Sequence, residues 1–393
     1  MTANQQQTRL ARRLHGIPTS IFSEMSALAV STGSLNMGQG FPDTDGPSSA
    51  VEAAVEALRQ GRNQYAPGPG IPELRRAIAA HQHAHYGIDL DPESEVVVTT
   101  GATEGVAAAI LAFVNPGDEI VALEPFYDSY VANIAMTGGV RRPVTLRAPN
   151  FRLDEDAMRS AVTDRTTTIL INSPHNPTGT VLRRSELEAI AQVAIEHDLL
   201  VITDEVYEHL VFDDHEHIPL CTLPGMWERT VSISSAGKTF SFTGWKVGWA
   251  TGPAELVNAL ESAKQWLTFT SGAPLQPAVA HALNKETDFY ARLRRELEGK
   301  RDRLCSALRE LGMEVYVPEA TYFVTTDVRS FGYEDGLAFC LALPERASVV
   351  AIPSQVFYDD HEEGRHKVRW AFCKEQSALD EGLRRLGAAD LHA

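Results

Sequence analysis

The run Leu199-Leu200-Val201-Ile202-Thr203-Asp204-Glu205 is apolar without alternation until it ends in two acids, the pattern of a strand buried on both faces. Similar β-rich runs occur at residues 95–100, 119–123, 167–172 and 230–234, separated by helix-like stretches such as 103–113 and 184–197. This alternation predicts an α/β chain whose large, mainly parallel sheet is sandwiched by helices. Ligands of such sheets gather at the carboxyl ends of the strands, which marks Asp204 as a site candidate.

Beyond Gly252 the texture changes to long helical stretches at 254–267 and 288–311, short strands near 321–326 and 367–372, and a last helix near 377–386. We read a large domain over residues 46–287 and a smaller α+β domain over 288–393, which residues 1–45 complete as an N-terminal arm. A long helix starting near Asp288 joins the two, and ligands favour the cleft between such domains.

The chain has 393 residues, 44% hydrophobic and 22% charged, which excludes disorder as its main state. Its 35 Lys and Arg against 52 Asp and Glu give a net charge of −17, leaving a nucleic-acid backbone little to bind. Four scattered cysteines without a CxxC pair suggest neither disulfides nor a zinc ribbon and fit a reducing compartment. No apolar run approaches the roughly 20 residues a bilayer requires. A cytoplasmic protein without a membrane partner is the expectation.

Three segments carry chemistry. Ser234-Ser235-Ala236-Gly237-Lys238 follows a β-rich run and places a lysine among small residues, where desolvation makes an amine nucleophilic; elsewhere such a lysine would be a surface one. In Asn172-Ser173-Pro174-His175-Asn176-Pro177-Thr178-Gly179 two prolines and a glycine fix the backbone and hold the Asn176 amide at a strand's carboxyl end. Asp204, three residues before Tyr207, is costly to bury unpaired and should face a cation, although a helix N-cap is an alternative role.

Together these segments resemble the class I/II, fold-type I pyridoxal-phosphate aminotransferases, over nearly the whole chain. The resemblance implies pyridoxal 5'-phosphate as cofactor, Lys238 as its covalent anchor and proton carrier, and Asp204 as partner of the pyridine nitrogen. Asn176 and Tyr207 would bond the phenolic oxygen. Ala102, Thr103, Ser235 and Lys246 match the phosphate contacts, with lysine at a position where many members carry arginine. In Pro125-Phe126-Tyr127 the resemblance favours Tyr127 for stacking on the ring, with Phe126 a near competitor. Arg369, alone among apolar neighbours in Val368-Arg369-Trp370-Ala371-Phe372, matches the residue that grips the substrate α-carboxylate. Gly38 matches the loop that closes on substrate, and Tyr65 a residue that reaches the neighbouring subunit's site, which implies a homodimer. One departure is Ala320, where the kynurenine and glutamine transaminase branch of the family usually has glycine.

Within the family, the runs Gln39–Asp43, Glu124–Tyr130 and Ile202–Phe212 look most like actinobacterial N-succinyldiaminopimelate aminotransferases, which implies glutamate as donor, a 2-oxo acid acceptor and a place in lysine biosynthesis. Kynurenine, glutamine and methionine transaminases share most of these runs. β-Elimination on cysteine conjugates, amino-acid oxidation and a non-catalytic regulator are the rival readings. His81, His83 and His85, and the cluster Asp213, Asp214, His215, Glu216 and His217, are read as solvated faces, so no metal site is expected.

Overall fold

The computed structural model describes residues 11–15, 17 and 19–393; the first ten residues of the expected arm lie outside it. Seven strands form one sheet in the order Val96–Thr99, Gly248–Thr251, Thr230–Ser235, Leu200–Asp204, Thr166–Asn172, Glu119–Glu124 and Val140–Thr145. Gly248–Thr251 runs antiparallel to both neighbours, and every other pairing is parallel.

Successive residues of the central strands feed opposite faces, as pleating requires. Val121, Ile169, Ile171 and Val201 join one apolar cluster, whereas Ile120, Leu170, Ile202 and Ile233 join another across the sheet. Both faces are therefore covered, which explains the unbroken apolar reading of residues 199–203.

Two strands escape the sequence pattern. Val140–Thr145 reads Val-Arg-Arg-Pro-Val-Thr, and of it only Val144 is buried. It lies at the sheet's edge, paired with one neighbour, where proline is tolerated and an apolar pattern is not required. Gly248–Thr251 is fully buried but too short, at four residues, to show a period.

A second sheet of four antiparallel strands runs Ile352–Pro353, Lys367–Ala371, Phe323–Asp327 and Glu314–Tyr316. Leu35–Asn36 pairs in parallel with Val349–Val350, so the N-terminal segment is stitched to the C-terminal part of the chain. The helix Phe289–Glu310, 22 residues and so about 33 Å long, lies in chain order after the strands of the seven-stranded sheet and before those of the four-stranded one. Thr321 adopts φ 71°, and its hydroxyl accepts the Phe323 N–H at 3.2 Å, so the turn forms with Ala320 in place.

Two readings of polar clusters need correction. His81 is not solvated: it is buried, 4% exposed, against His209. His217 is also buried, 3.1 Å from the Glu205 carboxylate. His83 and His85 are exposed as expected, and Asp213 is taken up by a two-pronged ion pair with Arg301. All four cysteines are free and buried. No helix among the described residues is long and apolar enough to cross a membrane.

Candidate active site

Strand register assembles the site. Asn172 pairs with Asp204, and Asp204 with Ile233, at the carboxyl ends of adjacent parallel strands. Gly248 lies opposite both Ser235 and Thr99, which brings Ser235 beside the start of the helix Gly101–Phe113. A cavity of about 660 Å³ opens at this edge. Ala102, Thr103, Tyr127, Asn176, Asp204 and Tyr207 line it, joined by Ser235, Lys238, Lys246 and Arg369.

One end of the cavity is an anion cradle. The first amides of a helix lack intrahelical partners and its dipole favours negative charge. Here Thr100 makes no side-chain cap, and Lys246 Nζ donates to the Thr103 hydroxyl at 3.2 Å. Gly248 makes the cradle possible, because a Cβ there would sit 2.6 Å from the Gly101 carbonyl carbon and 2.7 Å from the Ala102 nitrogen. Both are backbone atoms, so Gly248→Ala should displace the helix start and cost about 1–3 kcal/mol of stability. Thermal unfolding and inorganic-phosphate binding of this variant check the point; unchanged values for both would contradict it.

Farther in, Asp204 is buried and accepts the Tyr130 O–H at 2.6 Å and the Val206 N–H at 3.3 Å. Burial raises its pKa, opposed by these hydrogen bonds and by nearby Lys238. Its direct partners are neutral, so a ligand cation would complete it. Lys238, in the short helix Ala236–Thr239, has its pKa pulled down to about 8, mainly by burial. Its Nζ lies 5.5 Å from the centre of the Tyr322 ring and 5.9 Å from that of Tyr207, and it faces the cavity as an amine that is partly neutral at physiological pH.

At the opposite wall, Arg369 Nη1 donates to Asn176 Oδ1 at 3.1 Å and Nη2 to the Gly38 carbonyl at 3.0 Å. Arg369 Nε is buried without a partner. Gly38 therefore acts through its carbonyl, while its neighbours Gln39 and Gly40 line the cavity. Tyr127 faces the cavity, whereas Phe126 is 2% exposed in the core beneath the Arg141 guanidinium. Tyr65 lies apart, 83% exposed and edge-on to Phe269 at 5.5 Å.

Besides Gly248, two residues of the site were not singled out in the sequence. Tyr130 meets Asp204 from 74 positions away. Asn172 accepts the Asn176 N–H at 2.7 Å and donates to the Asp204 carbonyl at 2.9 Å, tying two motifs together. Asn172 had a signal in the sequence, as the polar residue that ends an apolar strand; Tyr130 had none.

The cavity thus offers an amine of lowered basicity, a buried acid in need of a cation, an anion cradle and an unsatisfied guanidinium nitrogen. This donor set fits a phosphorylated pyridine aldehyde and an amino-acid carboxylate, and the class it defines is the pyridoxal-phosphate-dependent transferases of fold type I. Residues 32–386 match the aminotransferase class I and II family, to which the chain belongs. It is an enzyme that uses pyridoxal 5'-phosphate to move an amino group from an amino-acid donor to a 2-oxo acid. It is 52% identical, over 95% of its length and 97% of the relative's, to a probable N-succinyldiaminopimelate aminotransferase of Mycobacterium tuberculosis. A solved structure of N-succinyldiaminopimelate aminotransferase from that organism superposes with a TM-score of 0.95 at 53% identity, covering 96% of this chain and 99% of that one. A methionine aminotransferase of Escherichia coli is 40% identical over 95% of this chain and 97% of its own.

Proposed function

We propose that the enzyme transfers the amino group between N-succinyl-LL-2,6-diaminopimelate and 2-oxoglutarate, with glutamate as the amino donor, in the cytoplasm and in lysine biosynthesis. The observation that carries this reading is the 52% identity to the M. tuberculosis relative along nearly the full length of both chains. We further propose that the division into an arm (1–45), a large domain (46–287) and a small domain (288–393) places this cavity between domains.

In this reading the phosphate is held by the amides of Ala102 and Thr103, the Ser235 hydroxyl and Lys246. Asp204 meets the ring nitrogen, and Tyr127 covers a ring face. Asn176, whose Oδ1 is engaged by Arg369, keeps Nδ2 as a donor for the phenolic oxygen, with Tyr207 as the second. Bound there, the cofactor supplies an aldehyde for the substrate amine and a ring that takes up the electrons of the breaking Cα–H bond. Lys238 would anchor it, take the proton from the substrate Cα and hand it to the carbon that carries the aldehyde, and would run the same transfer in reverse with the second substrate of the ping-pong cycle. Arg369 orients the α-carboxylate, and the Gly38 segment shields it from water. Tyr65 stands with exposed Trp266, Leu267 and Phe269, a surface suited to a second copy of the chain, so a homodimer is proposed with Tyr65 reaching the neighbouring cofactor.

A second reading, broad specificity of the kynurenine, glutamine and methionine type, is favoured by one feature. Lys238, Lys246 and Arg369 are the cations that the described residues bring to the cavity, and its outer wall includes Phe22, Phe41 and Phe323. The three cations are all assigned above, so the described residues that line the cavity offer no further one for a succinyl carboxylate. Anaerobic single-turnover spectra with glutamate, N-succinyl-LL-diaminopimelate, kynurenine, glutamine and methionine separate the two. Bleaching of the cofactor's visible band by the first two alone supports the primary reading, and equal bleaching by all five overturns it.

Tyr130→Phe tests the Asp204 assignment. It removes a hydrogen bond to a charged acceptor, worth about 1.5–3 kcal/mol, so cofactor affinity should fall by about tenfold or more while fold and thermal midpoint stay near wild type. Unaltered affinity would mean that Asp204 is held by the Val206 amide alone.

A further inference from the structure

The helix Pro72–Tyr86 carries His81 and His85 one turn apart, and the segment after Tyr207 brings His209 against them. The three rings form a near-equilateral triangle, with centroid separations of 4.6, 4.9 and 4.8 Å. One nitrogen from each ring falls within 4.8 Å of the others, and the Nε2 atoms of His81 and His209 are 2.7 Å apart. The His209 ring is stacked on Tyr290, 4.2 Å away and 7° from parallel, which fixes its aim.

We propose that His81, His85 and His209 form a binding site for one divalent transition-metal ion of the zinc type, with water as the fourth ligand. Three imidazoles and an open position are a recurring zinc arrangement, and imidazole also suits cobalt and nickel. A helical i, i+4 pair places two ligands on one face, and His209, 128 positions from His81, is the third ligand that sequence spacing could not supply. Ligation needs neutral rings. Burial provides this, holding His81 down at about 3 and His209 well below its ordinary value. Of two Nε2 atoms at 2.7 Å one must carry the shared proton, so loading moves that proton to the far nitrogen of its ring. For His81 that nitrogen is Nδ1, 3.4 Å from the Gln82 amide, which can turn its oxygen to accept it. His85 is exposed and provides the way in for the ion and its water.

The site lies outside the catalytic cavity, yet His209 is two residues beyond Tyr207, and Tyr290 belongs to the long helix Phe289–Glu310. A bound ion would therefore clamp the helix Pro72–Tyr86 to the segment that carries Tyr207.

The test uses tag-free holoenzyme, stripped with a chelator and returned to chelator-free buffer. Calorimetric titration with Zn2+ should show one ion per chain. Co2+ should give the visible absorption of a low-symmetry site, which Zn2+ then abolishes. His85→Ala, at an exposed position, should keep the fold and metal-free turnover while weakening affinity at least about tenfold, and His209→Asn should do the same to affinity. His83→Ala, whose ring is turned to Asp89 at 2.7 Å, should bind as wild type does. Saturating Zn2+ should raise the thermal midpoint of the wild type and of His83→Ala but not of His85→Ala. No saturable binding at millimolar metal would overturn the proposal, as would undiminished affinity in His85→Ala or a loss confined to His83→Ala.

Discussion

Replacing Lys238 by alanine is expected to lower turnover by about 10,000-fold or more, because both the covalent anchor and the proton carrier are lost together. The fold should survive. Nζ lies 5.5–5.9 Å from the ring centres of Tyr322 and Tyr207, and buried Asp204, which loses the field of this nearby cation, keeps its hydrogen bonds from Tyr130 and Val206; the backbone of Ala236–Thr239 stays helical with alanine. Burial draws the Lys238 amine from its ordinary 10.5 to about 8, with Cys373 and Asp204 opposing and Lys246 and Arg369 assisting. The sign follows directly: the neutral, nucleophilic form dominates above pH 8 and falls about tenfold per unit below it. Capture of cofactor by the stripped wild-type protein, followed by its visible band, should therefore speed up with rising pH and level off near 8. A rate still climbing toward 10.5 would show an ordinary, solvated lysine. Turnover of the alanine variant within tenfold of wild type would remove Lys238 from the chemistry altogether.

What the sequence displayed, and what it hid, follows from the range of the interactions. Asp204 ends an apolar strand, and Asn176 and Lys238 stand three or four residues beyond the ends of β-rich ones; a parallel sheet gathers strand ends, so local pattern sufficed to nominate them. Gly248 was invisible as a site residue because its value lies in the register that sets it opposite Ser235 and Thr99. Tyr130, like Tyr127, looks like one more aromatic in a core-like run until its hydroxyl is found on Asp204. The choice between Phe126 and Tyr127 could not be made from adjacent aromatic letters; the structure sends the first into the core and the second to the cavity. The three histidines show the same limit. A helical pair is common on solvated surfaces, and only the folded chain discloses that one member is buried against a third ring.

Arg369→Met should raise the KM for amino-acid donors by about 1,000-fold, the scale of removing one partner from a buried charge pair, with a smaller fall in kcat. Arg369 lies in the strand Lys367–Ala371 between the rings of Phe323, Phe22 and Phe357, with its guanidinium carbon 4.0, 4.8 and 5.5 Å from their centres. Burial lowers its pKa only to about 10, so it stays charged at neutral pH, and its partners, Asn176 Oδ1 and the Gly38 carbonyl, are uncharged. A buried cation with neutral partners and a free Nε is costly on its own and is offset when a substrate carboxylate arrives. Methionine fills a similar apolar space, so the variant should fold. Arg369→Lys keeps the charge but not the planar fork and should fall between the two. The decisive comparison is an amine of matching side chain without an α-carboxylate. Its single-turnover rate should be nearly the same in wild type and Arg369→Met, because Arg369 has nothing to grip there. Equal losses for both kinds of donor would mean that Arg369 serves to hold Asn176 and the Gly38 segment in place, and carboxylate recognition would then have to come from another group at the cavity.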